Sequence, residues 1–173
     1  DMISDKNAAI TSMISTFENC RYLKKLTIKG FDTSNVKSLH KFLYQSNLEF
    51  LDFSEIQINT AKVEDMSYMF SYTRIKNLNL SNIDTSNVVN MSHIFDGCSS
   101  LIDLDVSKFN TSNVKYMLGM FRKLNEITVI KGIENFKTNN IVDMGYMFAE
   151  CNKLKSLNLS NFDTSKVEKM SYM

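Results

Sequence analysis

The sequence predicts an α/β solenoid, with one short parallel strand and one short helical segment in each repeat of about 26 residues. Three observations carry this. First, the chain repeats itself: "NIDTSNVVNMSHIF" at 82–95 returns as "NFDTSKVEKMSYM" at 161–173. Second, each repeat opens on the pattern L-x-x-L-x-L, as in Leu101, Leu104 and Val106 or Leu154, Leu157 and Leu159. The last two of each trio alternate with polar residues, as a half-buried strand requires. Third, each repeat continues as V-x-x-M-x-x-M-F, as in Val63, Met66, Met69 and Phe70 or Ile141, Met144, Met147 and Phe148. That spacing puts the apolar side chains on one face of a helical turn.

On this alignment the chain is a single array. A half repeat covers 10–22, full repeats cover 23–47, 48–74, 75–100, 101–123 and 124–153, and a shortened one covers 154–173. The fifth full repeat, "IKGIENFKTNNIVDMGYMF" in its later part, has a longer and strand-poor connection. A single strand and a single helical turn cannot bury both their apolar faces alone, so successive repeats must stack on one shared core. Recurrence beside Phe at fixed spacing assigns the 11 methionines to that core rather than to a soft metal site.

Turns need punctuation, yet there is no proline and there are only five glycines. Asn, Asp, Ser and Thr take that task. Thr33, Thr60, Thr85, Thr111, Thr138 and Thr164 each stand three residues ahead of the first Val or Ile of the second pattern, the place of a helix N-cap. A preceding Asp32, Asp84 or Asp163 supplies another acceptor and a charge suited to a helix N-terminus.

The balance of 20 basic against 19 acidic residues gives a net charge of +1, too even to name nucleic acid or an anionic membrane as partner. No apolar run approaches the roughly 18 residues of a membrane span, and no signal-peptide pattern is seen. Cys20, Cys98 and Cys151 fall in the same slot of separate repeats. At about 4.8 Å per stacked strand they lie about 14 and about 10 Å apart, beyond the ~7 Å limit for a bridge, and are expected to be buried single thiols. That spacing also excludes a shared zinc, and His40 and His93 fall at unmatched helix positions expected to be exposed. No metal and no cofactor is expected.

With the strand leucines inward, Phe50, Asp52, Asn77, Asn79, Asp103, Asp105, Glu126, Thr128 and Asn158 point outward and form the candidate partner-binding surface. Asp103 and Glu126 are expected to be neighbours, a carboxyl pair of the kind a retaining glycosidase or a calcium site uses. An open sheet face offers no cleft to exclude water, so no catalytic residue is assigned and the chain is read as no enzyme. The first outward row varies through Lys25, Phe50, Asn77, Asp103, Glu126 and Ser156, whereas a third row repeats serine at Ser54, Ser81, Ser107 and Ser160.

The strand pattern followed by "SNIDTSNV", "MSYMF" and "CSSL" resembles the repeats of BspA-like leucine-rich-repeat surface proteins, and of the repeat family found in mycoplasma-type surface lipoproteins and low-GC bacterial cell-wall proteins. The likeness spans Ile10 to Met173. It implies a leucine-rich-repeat-like solenoid, an extracellular place on a bacterial cell surface with signal or anchor outside this segment, and adhesive or protein–protein contacts without catalysis. Partners would be a host surface or extracellular-matrix protein, or a glycan, with no nucleic acid and no membrane insertion by this segment. The alternatives are a structural stalk that projects another domain and, third, a repeat segment of a glycan-acting hydrolase. The last repeat lacks the Phe that follows Met69 and Met147, so the residues are expected to be an excerpt of a longer array that associates end to end or frays.

Overall fold

A computed structural model describes residues 9–53 and 56–173. Its regular elements are short: β1 (Phe50–Asp52), β2 (Asn77–Asn79), β3 (Leu104–Asp105), β4 (Ile130–Lys131) and, among the described residues, a single 3-10 turn at Ile133–Asn135. β1 pairs with β2, and β3 with β4, both in parallel. A second line of contacts runs through the whole chain as isolated parallel bridges, Ser12 to Ser38, Asp65, Asn90, Tyr116, Asp143 and Lys169 in turn. The repeats therefore lie in parallel register along the bridge line throughout, and along a second line where β1 meets β2 and β3 meets β4.

The predicted α/β solenoid with a helical segment in every repeat, and with it the leucine-rich-repeat-like fold, is overturned. No α-helix exists among the described residues, and strands of two or three residues occur in four repeats only. The V-x-x-M-x-x-M-F segments are chains of tight turns. In the second of them, Phe42, Tyr44 and Ser46 donate their N–H groups to the carbonyls three residues back, at 3.0, 3.1 and 3.0 Å. The alternate N–H groups of Leu39, Lys41, Leu43 and Gln45 instead reach the next repeat, at Asp65, Ser67, Met69 and Ser71. A helix would use all these donors internally. Here half of them tie neighbouring repeats together, which satisfies the backbone and stacks the chain at once.

Such a path needs residues with positive φ at regular intervals, at the third position of the turn. Lys41 and Gln45, Tyr68 and Tyr72, His93 and Gly97, Gly119 and Lys123, and Tyr146 and Glu150 fill these paired slots, with φ from 55° to 71°. Each left-handed non-glycine residue costs roughly 1–2 kcal/mol, offset here by the cross-repeat bonds it permits. The apolar spacing survives the change of path: Val36, Leu39, Phe42 and Leu43 are all fully buried. Phe70, Phe95, Phe121 and Phe148 stack in one continuous column with successive centroids 5.7, 5.9 and 5.7 Å apart.

The threonines are not helix caps. Thr85 Oγ1 accepts from Asn110 N–H at 2.8 Å and donates to Asn110 C=O at 3.1 Å, one repeat away. Thr60 does the same to Asp84, Thr111 to Lys137 and Thr138 to Asp163. All four are buried, so each hydroxyl is a staple between repeats. Asp32, Asp84 and Asp163 do accept a backbone N–H, from the residue two further on, in turns that replace glycine and proline. The asparagine ending the motif reaches back: Asn87 Nδ2 donates to Ala61 C=O, Asn113 to Ser86 and Asn140 to Ser112. Thr111→Val is expected to cost about 1–3 kcal/mol in urea unfolding, because it leaves the Lys137 backbone groups without their buried partner. The same change at exposed Thr164 is expected to cost almost nothing.

The cysteines are unbridged. Cys98 is fully buried, its Sγ donating to Phe70 C=O at 3.0 Å, and burial pushes its thiol up to about 12. Cys151 makes the same bond to Phe121 at 3.0 Å but is half-buried, as is Cys20, so burial holds in full at only one of the three positions. Alkylation of the folded chain is expected to mark Cys98 at least about tenfold more slowly than Cys20, a difference that denaturant abolishes and that mass spectrometry reads directly.

Candidate interaction surface

The outward rows begin as the alternation of the strands predicts. Phe50 lies across from Asn77 and Asp52 from Asn79. Together with Leu78, Asp103 and Asp105 they line a shallow, open groove of about 190 Å³. Phe50 is 56% exposed, an aromatic ring that contributes nothing to the core.

Glu126 and Thr128 do not continue these rows. Leu104 stands across from Ile130 and Asp105 from Lys131, so the next outward residues are Val129 and Lys131. The sequence alignment places Leu124 opposite Leu101, yet the register puts Ile127 there, and both are buried. The shift is absorbed by the 3-10 turn after Gly132. A bond from Lys155 N–H to Thr128 C=O carries the register on, which makes Asn158 the residue after Lys131. Ser54 of the serine row lies outside the described residues.

The carboxyl pair expected of Asp103 and Glu126 is not formed. Each carboxylate instead meets a lysine: Lys131 Nζ lies 3.0 Å from Asp103 and Lys153 Nζ 2.6 Å from Glu126. Glu49 stands between Lys24 at 3.3 Å and Lys76 at 3.5 Å, and Lys24 foremost holds its carboxyl below the ordinary value of 4.5. Asp105 is likewise held below 3.8, by Ser107 first and by Lys131 and Lys108 less. All these groups are exposed and screened by solvent, so the pairs add little to stability. Glu49 and Asp105 are thus shifted away from the raised range that a general acid requires, and Asp103 and Glu126 are each engaged by a lysine. No group of His, Cys, Asp and Glu able to hold a metal ion occurs among the described residues.

The turn segments carry a second assembly that sequence reasoning missed. His40 and His93, expected to be exposed, are half-buried within a band of aromatic rings. The His93 ring stacks on Tyr68 at 4.6 Å, while His40 and Tyr44 meet Tyr68 edge-on at 5.8 and 6.1 Å. His93 Nδ1 pairs with Asp96 Oδ2 at 2.9 Å, and Asp96 is buried. His40 Nδ1 lies 2.7 Å from Ser67 Oγ, whose hydroxyl donates to Asp65 at 2.6 Å. That Ser–His contact is the wrong way round for a nucleophile, since the hydroxyl proton goes to the carboxylate and not to the imidazole. The available signal was the recurring tyrosine of "MSYM" and "MGYM", at Tyr68, Tyr146 and Tyr172. Its left-handed backbone turns the ring along the stack, as Tyr146 on Tyr172 shows at 4.9 Å.

A family model described as "Mycoplasma protein of unknown function, DUF285" matches residues 5–100, 42–131 and 102–173. The chain belongs to this family. The matches overlap, each spanning several repeats, as expected when one motif recurs along a chain and a family unit fits in more than one frame. No curated protein and no solved structure matches the chain. Membership of a mycoplasma-type family is thus shown, and the features described above are its physical content here: threonine staples, paired left-handed residues and a buried phenylalanine column. No helix among the described residues is long and apolar enough to cross a membrane.

Proposed function

We propose that the chain is a non-enzymatic module of a bacterial cell surface, akin to the BspA-like surface proteins in the wording of its repeats, and that it engages a host surface or matrix protein through its outward strand rows. The observation that carries this reading is the exposed Phe50 ring at the edge of a groove shared with Asp52, Asn77, Asn79, Asp103 and Asp105. An aromatic ring in water beside mixed polar groups is the composition of a protein-contact centre with a polar rim. The rows differ from repeat to repeat, which suits recognition, where a mere spacer tolerates monotony.

The stalk reading draws on the same stacking but gives no reason for an exposed Phe50. The hydrolase reading loses its support with the lysine pairing of Asp103 and Glu126. The test is retention of purified host matrix proteins on immobilised chain, compared with Phe50→Ala and Asp103→Ala variants. Retention of one component that falls about tenfold or more with Phe50→Ala is expected. Equal retention by all three forms, or none by any, overturns the proposal.

A further inference from the structure

Arginine is rare in this chain, three residues against 17 lysines, and its placement is uneven. Arg122 is paired with Glu150 at 2.8 Å. Arg21 and Arg74 have no acidic partner among the described residues, and both line one open, polar depression of about 550 Å³. With them stand Tyr22, Tyr72, Asn47 and Ser46. We propose that this depression binds an acidic saccharide, a sugar ring that carries a carboxylate or a sulfate.

Three features support that chemistry. Arg21, Asn47 and Arg74 each follow directly on Cys20, Ser46 and Thr73, one slot repeated in three successive coils. At about 4.8 Å per coil the two arginines are about 10 Å apart at the backbone, with an amide between them. Side chains of that length are long enough to reach one anion between them, and the planar guanidinium matches carboxylate and sulfate oxygens in pairs. The site also carries no acidic side chain that would repel the ligand.

Tyr72 supplies the surface for the ring. It is 40% exposed, yet its position is held on two sides. Tyr44 meets it edge-on at 6.1 Å, and its other flank rests on Gly97, where a Cβ would lie 2.6 Å from the ring. The exposed remainder of this fixed ring is apolar surface against which the C–H groups of a pyranose pack, with the sugar hydroxyls left to the polar rim.

The chain's net charge of +1 provides no wider basic tract of the kind that a polyanion such as nucleic acid needs. The site stands apart from the strand rows, so its fate and that of the Phe50 surface are separable.

The test is titration calorimetry of the whole chain at physiological salt with four probes: a sulfated hexasaccharide, an unsulfated uronic-acid hexasaccharide, a neutral glucose hexasaccharide and an oligothymidylate. Binding of at least one of the two acidic saccharides is expected, and which one binds identifies the anionic group. Arg21→Ala, Arg74→Ala and Tyr72→Ala are each expected to weaken it about tenfold or more, whereas Tyr72→Phe and Phe50→Ala retain it. Circular dichroism confirms that each variant keeps its fold, and a variant that loses it is replaced by Arg21→Lys or Arg74→Lys, which is expected to weaken binding as well. The proposal is overturned if neither acidic saccharide binds, or if the neutral one binds equally. It is also overturned if oligothymidylate binds as tightly, if the arginine variants bind unchanged, or if Phe50→Ala abolishes the interaction.

Discussion

Phe95→Ala is expected to destabilise the chain by about 3–5 kcal/mol, while Asn79→Ala shifts the thermal midpoint only slightly. The Phe95 ring is fully buried and stacked between Phe70 and Phe121, at 5.7 and 5.9 Å and within 10° of parallel. Truncation removes the apolar transfer term, opens a cavity in the middle of the stack and deprives two further rings of their neighbour. A stack whose repeats depend on nearest neighbours loses cooperativity at such a break, so hydrogen exchange is expected to rise first on the repeats flanking it. Asn79 lies on the outer face, and among the described residues its side chain accepts only the local N–H of Ser81. Equal shifts for the two variants would show the inner and outer faces to be misassigned.

Gly132→Ala is the second large effect, expected to cost well above the roughly 1–2 kcal/mol of placing a side chain at positive φ alone. Gly132 has φ +85°, and a Cβ there would run into the backbone N and Cα of Ser107 in the preceding repeat. Backbone atoms cannot turn aside as a side chain does. The position opens the 3-10 turn that absorbs the extra residues of its repeat, and β4 ends at Lys131 just before it. Displacing this turn is therefore expected to break the bond from Val106 N–H to Lys131 C=O and loosen the pairing of β3 with β4. Gly30 is the informative comparison, since it too has a positive φ, +78°, but nothing within 4 Å of its missing Cβ. Gly30→Ala is expected to cost about 1–2 kcal/mol by denaturant unfolding. If Gly132→Ala costs no more than Gly30→Ala, close approach between repeats is not what requires glycine there.

The recurrence of one motif and the inward set of Leu, Val, Met and Phe were legible in the amino-acid order alone, because burial depends on which residues are apolar and on their period. The absence of proline and scarcity of glycine likewise pointed to Asp, Asn, Ser and Thr as the turn formers, and their short side chains do hold the turns. Path was another matter. A spacing of three and four residues brings Val88, Met91 and Phe95 to one side in a helix, and it does so equally in successive turns. The choice fell to the alternate N–H groups, which gain partners only when the next repeat lies alongside. Gly97 and Gly119, in slots that in the other full repeats hold Tyr, His, Lys, Gln or Glu, were the local trace of the left-handed turns. Register in the fifth repeat was misplaced as well, since Leu124 and Ile127 are equally apolar and only the pairing of Leu104 with Ile130 separates them. The meeting of Asp103 with Lys131, and of Arg21 with Arg74 around Tyr72, belongs to that same level. These groups lie tens of residues apart in the chain, and only the stacking of one repeat on the next brings them together.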